Sequence, residues 1–176
     1  MSLASLDIGR LVLVVVWTGA MAVLGTVIAG NAVKTWYPTL TKGRIEIPLT
    51  LFALVGLVCY VLEAIVGYRL LEQSQGSSTA GLVLFVLVVV MLYNELWNGA
   101  LFRLRSPFAA LIALLGFLAP LAILLVGCAL VDGPSLLLMG LYAAWVIGYD
   151  LPWIHGLWRA NEAPGTSAPT TIAEAD

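Results

Sequence analysis

Five apolar runs, at about residues 11–30, 49–71, 80–102, 108–131 and 135–158, fill most of the chain. Each is close to the ~20 residues an α-helix needs to cross ~30 Å of hydrocarbon. They are rich in Leu, Val and Ala without strict alternation, which fits helices and not a β-barrel. Only 10% of the 176 residues are charged, against roughly 25% in a soluble domain. So few charges leave too little polar surface to face water on all sides, and lipid must be the solvent. The sequence predicts an all-α integral membrane protein: one five-helix domain over 1–161, then a disordered polar tail over 162–176.

The first run resembles a secretory signal, but Asp7 offsets Arg10 and the run exceeds the usual h-region, so a retained span is expected. With five crossings, Lys34, Lys42, Arg44, Arg103, Arg105 and Arg159 fall on one side of the membrane, and Arg10 and Arg69 on the other. The positive-inside rule then puts the N-terminus outside and the C-terminus in the cytoplasm. A formal net charge of −2 and the lack of a basic run argue against nucleic acid as a partner. Cys59 and Cys128 read as small packing residues, and one histidine excludes a structural zinc site on ligand count.

Against this background Tyr93-Asn94-Glu95-Leu96-Trp97-Asn98 stands out as a polar knot inside the third run. A charged side chain at mid-bilayer costs at least ~2.5–3.5 kcal/mol on insertion scales, so such groups face a protein interior, a cavity or a ligand. Helical spacing puts Asn94, Trp97, Asn98 and Leu101 on one stripe, with Glu95 about 100° away. In the fifth run Tyr142, Trp145, Tyr149 and Trp153 form an aromatic stripe flanked by Asp150. In the second, Phe52, Gly56, Tyr60, Glu63 and Gly67 share a face. At ~1.5 Å per residue, the Asn94–Asn98 cluster and Asp150 lie in the cytoplasmic half, and Glu63 slightly outside the centre. The longest connection, 31–48, lies over them with Trp36 and Tyr37. It reads equally as interfacial aromatic belt and as a lid.

For the amides, bonding between helices competes with ligand binding. For Glu63, Glu95 and Asp150 an interior role is expected, protonated or paired; a proton relay is disfavoured because they are not stacked along one path. Pro120 and Pro152, inside the fourth and fifth runs, predict kinks. His155 reads as an interfacial anchor. No catalytic arrangement or phosphate loop is present, so no enzyme, cofactor or metal is expected.

Several short patterns, in order, resemble the TspO/MBR family of translocator and tryptophan-rich sensory proteins. They are Trp36-Tyr37-Pro38-Thr39-Leu40-Thr41-Lys42, Ile47-Pro48-Leu49-Thr50-Leu51-Phe52 with Tyr60, Asn94-Glu95-Leu96-Trp97, Tyr142-Ala143-Ala144-Trp145, and Leu157-Trp158-Arg159-Ala160-Asn161. The resemblance covers about 34–161. It implies a pocket under the first loop, often a homodimer, and binding of porphyrins, haem included, or of sterol-like and aromatic molecules. Carried over, the ligand-binding candidates are Trp36, Asn94, Trp97 and Trp145, joined by Tyr60, Tyr149, Asn98 and Gly56. Lys42, Arg44 and Arg103 are candidates for a carboxylate-binding rim.

The chain departs from the family pattern at Gly56, where a tryptophan is expected, and at Gly43, Ile47 and Leu141, where prolines are. The C-terminal sterol pattern is absent. The expected function is a receptor or transporter of hydrophobic ligands such as tetrapyrroles in a bacterial or archaeal cell membrane, with a possible sensory role. A porphyrin-degrading enzyme and a ligand-free scaffold are the alternatives.

Overall fold

The computed structural model describes residues 7–162; most of the predicted disordered tail lies outside the described residues. Helix α1 (Ile8–Ala29) is followed by a short α2 (Ala32–Thr35) and a 3-10 turn at Tyr37–Thr39. Then come α3 (Leu49–Ser74), α4 (Ser78–Asn98), α5 (Pro107–Val131), α6 (Gly133–Trp145) and α7 (Leu151–Asn161). A π turn at Gly99–Arg103 extends α4, and another at Val146–Asp150 joins α6 to α7. Five spans result, the third over Ser78–Arg103 and the fifth over Gly133–Asn161. No strand occurs among the described residues.

Local chemistry sets the helix starts. Asp7, Ser77, Ser106 and Asp132 each accept a backbone N–H three residues on, satisfying a donor that the first turn leaves open. Pro107 and Pro134 stand where a missing N–H does no harm. At the far end of α1, Gly30 takes φ +52°, which turns the chain out of the helix and favours a residue without a Cβ. Helix α5 runs through Pro120 without interruption. Pro152 instead directly follows the 146–150 π turn, whose wider loop absorbs the bond that proline cannot make.

The core lies between α3, α4, α5 and α6, where Val66, Leu70, Leu87, Val90, Leu114, Phe117, Leu124 and Met139 are nearly or fully buried. Outward-facing Val15, Leu57, Phe85, Ile123 and Leu137 are exposed, the surface a lipid environment requires. Lipid tails are as apolar as leucine, so the bundle is held mainly by close packing and bonds between helices, not by escape from water.

Side-chain links close both ends. At one end Asn161 accepts the Thr41 N–H at 2.9 Å and donates to the Thr41 carbonyl at 2.9 Å. The Tyr37 ring packs edge-on against Phe102 and Trp153. The long loop, the turn after α4 and the end of α7 therefore share this loop end, together with the six basic residues grouped from the sequence. At the opposite end the Asp7 N–H donates to Tyr68 at 3.1 Å, and Arg69 forks onto Asp132 at 2.7 and 2.8 Å. The Arg69 guanidinium, helped by Ser135, holds the Asp132 carboxyl well below the usual range despite partial burial.

Candidate functional site

Helix α3 presents Phe52, Gly56, Cys59, Tyr60 and Glu63 along one face, at spacings of four, three, one and three residues. Helix α4 faces them with Asn94, Trp97 and Asn98, and α6 with Tyr142 and Trp145; Asp150 completes the set. These residues enclose a cavity of about 90 Å³ in the loop half of the bundle. Asp150 reaches it because of the π turn. In a regular helix residue 150 would lie about 140° around from Trp145 (five residues at 100° each). An i→i+5 turn brings the two into line, and Asp150 is buried beside the Trp145 indole.

Asn94 is the hub of the polar network. Its side-chain carbonyl accepts from the Trp97 indole N–H at 3.0 Å and from the Tyr142 hydroxyl at 3.3 Å. Its amide donates to Glu95 Oε1 at 3.4 Å, and Asn98 donates to the Asn94 backbone carbonyl at 3.1 Å. The Tyr60 hydroxyl donates to the same Glu95 oxygen at 2.5 Å, tying α3 to α4. On the other side of Glu95, α1 approaches so closely that a Cβ at Gly25 would overlap the carboxylate. Asn94 is thus largely committed within the protein, and one amide hydrogen is what it has left for a ligand.

Three buried carboxyls converge here. Glu63 is 2% exposed, Glu95 1% and Asp150 5%. Glu63 and Asp150 line the cavity directly, while Glu95 touches it through Tyr60 and Asn94. Glu63 Oε1, Glu95 Oε2 and Asp150 Oδ1 have no hydrogen-bond partner among the described residues. The sequence placed these acids on no common path; the tertiary structure brings two of them to one cavity and the third behind its wall.

Beside the cavity, a groove of about 520 Å³ runs between α1 and α3 towards the loop end, with Lys34 along it. It shares Phe52, Gly56, Tyr60 and Asn98 with the cavity. Nothing lies within 4 Å of where a Cβ on Gly56 would stand. The residue that replaces the family tryptophan is therefore an open window between the two spaces.

The structure separates the other sequence candidates from the cavity. Trp36 packs in the loop and does not line it. Tyr149 stacks on Trp145, ring centroids 4.5 Å apart, and its hydroxyl accepts the Ile47 N–H at 3.1 Å, so it anchors the loop. Lys42 lies over the Tyr37 ring at 3.1 Å, donates to the Tyr37 carbonyl at 2.6 Å and pairs with Glu46 at 3.7 Å. That latch holds the loop closed on itself and pulls Lys42 away from a rim role. Burial pushes the Tyr37 phenol up and the Lys42 ammonium down. Arg44 is exposed, and Arg103 lines a different, polar hollow with Arg105 and Asn31. Phe52, Cys59 and Tyr142 join the site, although only the helical faces of Phe52 and Tyr142 hinted at them; Lys34 was not anticipated.

A search of curated proteins finds no match. The family model described as "TspO/MBR family" matches residues 11–149, which takes in most of α1 and all of the cavity except Asp150. With that match over most of its length, this chain is a member of the TspO/MBR family of membrane proteins.

Proposed function

We propose that the protein is a non-enzymatic membrane receptor or carrier for flat, hydrophobic ligands, tetrapyrroles among them, with the loop end in the cytoplasm. The supporting observation is the aromatic cavity open through Gly56 to the α1–α3 groove. The enclosed part alone has room for only a few water molecules. The groove brings the space into the ~300–1,000 Å³ range of small-molecule sites. A flat ring would lie in the groove on Phe52 and Phe102, with its edge through the window towards Trp97 and Trp145. A carboxylate on its outer edge would meet Lys34.

Titration of the purified protein with protoporphyrin, followed by tryptophan quenching, tests the proposal. Saturable quenching weakened by Trp145→Ala and Asn94→Ala is expected. Quenching that does not saturate, or that both variants leave unchanged, refutes it.

A further inference from the structure

Unpartnered oxygens of Glu63 and Asp150 point to what enters the enclosed end of the site. We propose that this end is selective for a protonated amine carried on a flat apolar body, an aromatic organic cation; this rests on the ligand-binding function proposed above.

Both side chains are at least nine-tenths buried, both line the 90 Å³ cavity, and each has an oxygen with no hydrogen-bond partner among the described residues; Glu63 also borders a separate apolar pocket of about 200 Å³ between α1, α3 and α4. Glu95 stands behind the Tyr60–Asn94 wall, and its own unpartnered oxygen faces Gly25 of α1 and not the cavity. The remaining polar neighbours are Cys59, Tyr60, Tyr142, Asn94, Asn98 and the Trp145 indole. None of these carries a positive charge. The ion pairs found among the described residues use Arg10, Lys42, Arg69 and Arg159, all with other carboxylates. Lys34 lies along the groove and not in the cavity.

Buried carboxyl groups beside a small space are stabilised by a donor or a cation and destabilised by another anion. The aromatic rings of Trp97, Tyr142 and Trp145 line the same cavity, and aromatic surroundings also favour a cation. Size agrees with charge, since the small chamber has room for an ammonium group while the apolar body passes the Gly56 window into the wider groove. The site is thus polarised, acidic at its closed end and basic along its open side.

Protein in a neutral maltoside detergent is titrated with three pyrenes of nearly equal size, and tryptophan quenching is followed. These are cationic 1-(aminomethyl)pyrene, neutral 1-(hydroxymethyl)pyrene and anionic pyrene-1-carboxylate. The amine is expected to bind about tenfold more tightly than the alcohol, and the carboxylate most weakly. Glu63→Gln and Asp150→Asn should each bring the amine-to-alcohol ratio towards one. The charge series on the unaltered protein decides the matter even where a variant fails to fold. Equal binding of amine and alcohol, or preference for the carboxylate, overturns the inference and leaves the receptor proposal standing. If none of the three saturates, both fall.

Discussion

The Tyr60–Glu95 bond gives the sharpest quantitative test of how the site is held together. It links α3 to α4 at 2.5 Å, and its acceptor is 1% exposed. A hydrogen bond to an ionised acceptor is worth about 1.5–3 kcal/mol in proteins generally. Bonds between helices in membranes average only ~0.6 and reach ~1.7 kcal/mol, because the unfolded chain in lipid also finds partners. Here the other donor to Oε1, the Asn94 amide, stands at 3.4 Å, and Oε2 has no partner among the described residues. Little is left to compensate, so the upper part of the membrane range applies. A cycle of Tyr60→Phe, Glu95→Gln and the double variant should give a coupling of about 1–1.7 kcal/mol, roughly a five- to twentyfold change in the unfolding equilibrium. Reversible unfolding in mixed micelles would measure it. Additive effects within ~0.3 kcal/mol, the ordinary scatter for independent sites, would show that the two side chains do not brace the helices.

Other consequences follow from neighbouring geometry. Gly25→Ala forces its Cβ into the Glu95 carboxylate, so α1 or that side chain must shift and strain the Tyr60 bond, and a loss of about 1–3 kcal/mol is expected in the same unfolding assay. Gly56→Trp restores the family residue and fills the window between cavity and groove, so saturable porphyrin quenching should be lost while the melting temperature changes little. Asn161→Ala removes both bonds to Thr41, and amide exchange over 37–47 should quicken severalfold. Asp132 is held below its unfolded pKa of ~3.9 by Arg69, so its stabilisation is complete above about pH 4 and is lost as pH falls further. The difference in melting temperature between the unaltered protein and Asp132→Asn should therefore be full at neutral pH and shrink below about pH 4.

Some of the site was legible along single helices. Phe52, Gly56, Tyr60 and Glu63 share a face by spacing alone, as do Asn94, Trp97 and Asn98, and the structure sets those faces against each other. The loop residues misled because aromatic and basic side chains near a membrane surface look alike whether they meet a ligand or one another. Lys42 is spent on Tyr37 and Glu46, and Tyr149 on Ile47, partnerships that depend on how the loop folds back. Lys34 looked like one more basic residue at the membrane surface until α1 and α3 were placed side by side.

By itself the sequence determined the solvent, the number of crossings, the helix starts and the family, since hydropathy, capping and short motifs are properties of contiguous residues. The tertiary structure alone decided that acids from two spans line one space, with a third behind its wall. Their depths depend on how the helices are staggered, and the reach of Asp150 depends on a π turn that shifts its register. It also decided that Gly56 is a window and not merely a missing side chain, because an absent Cβ acquires meaning only from what stands, or does not stand, on its other side.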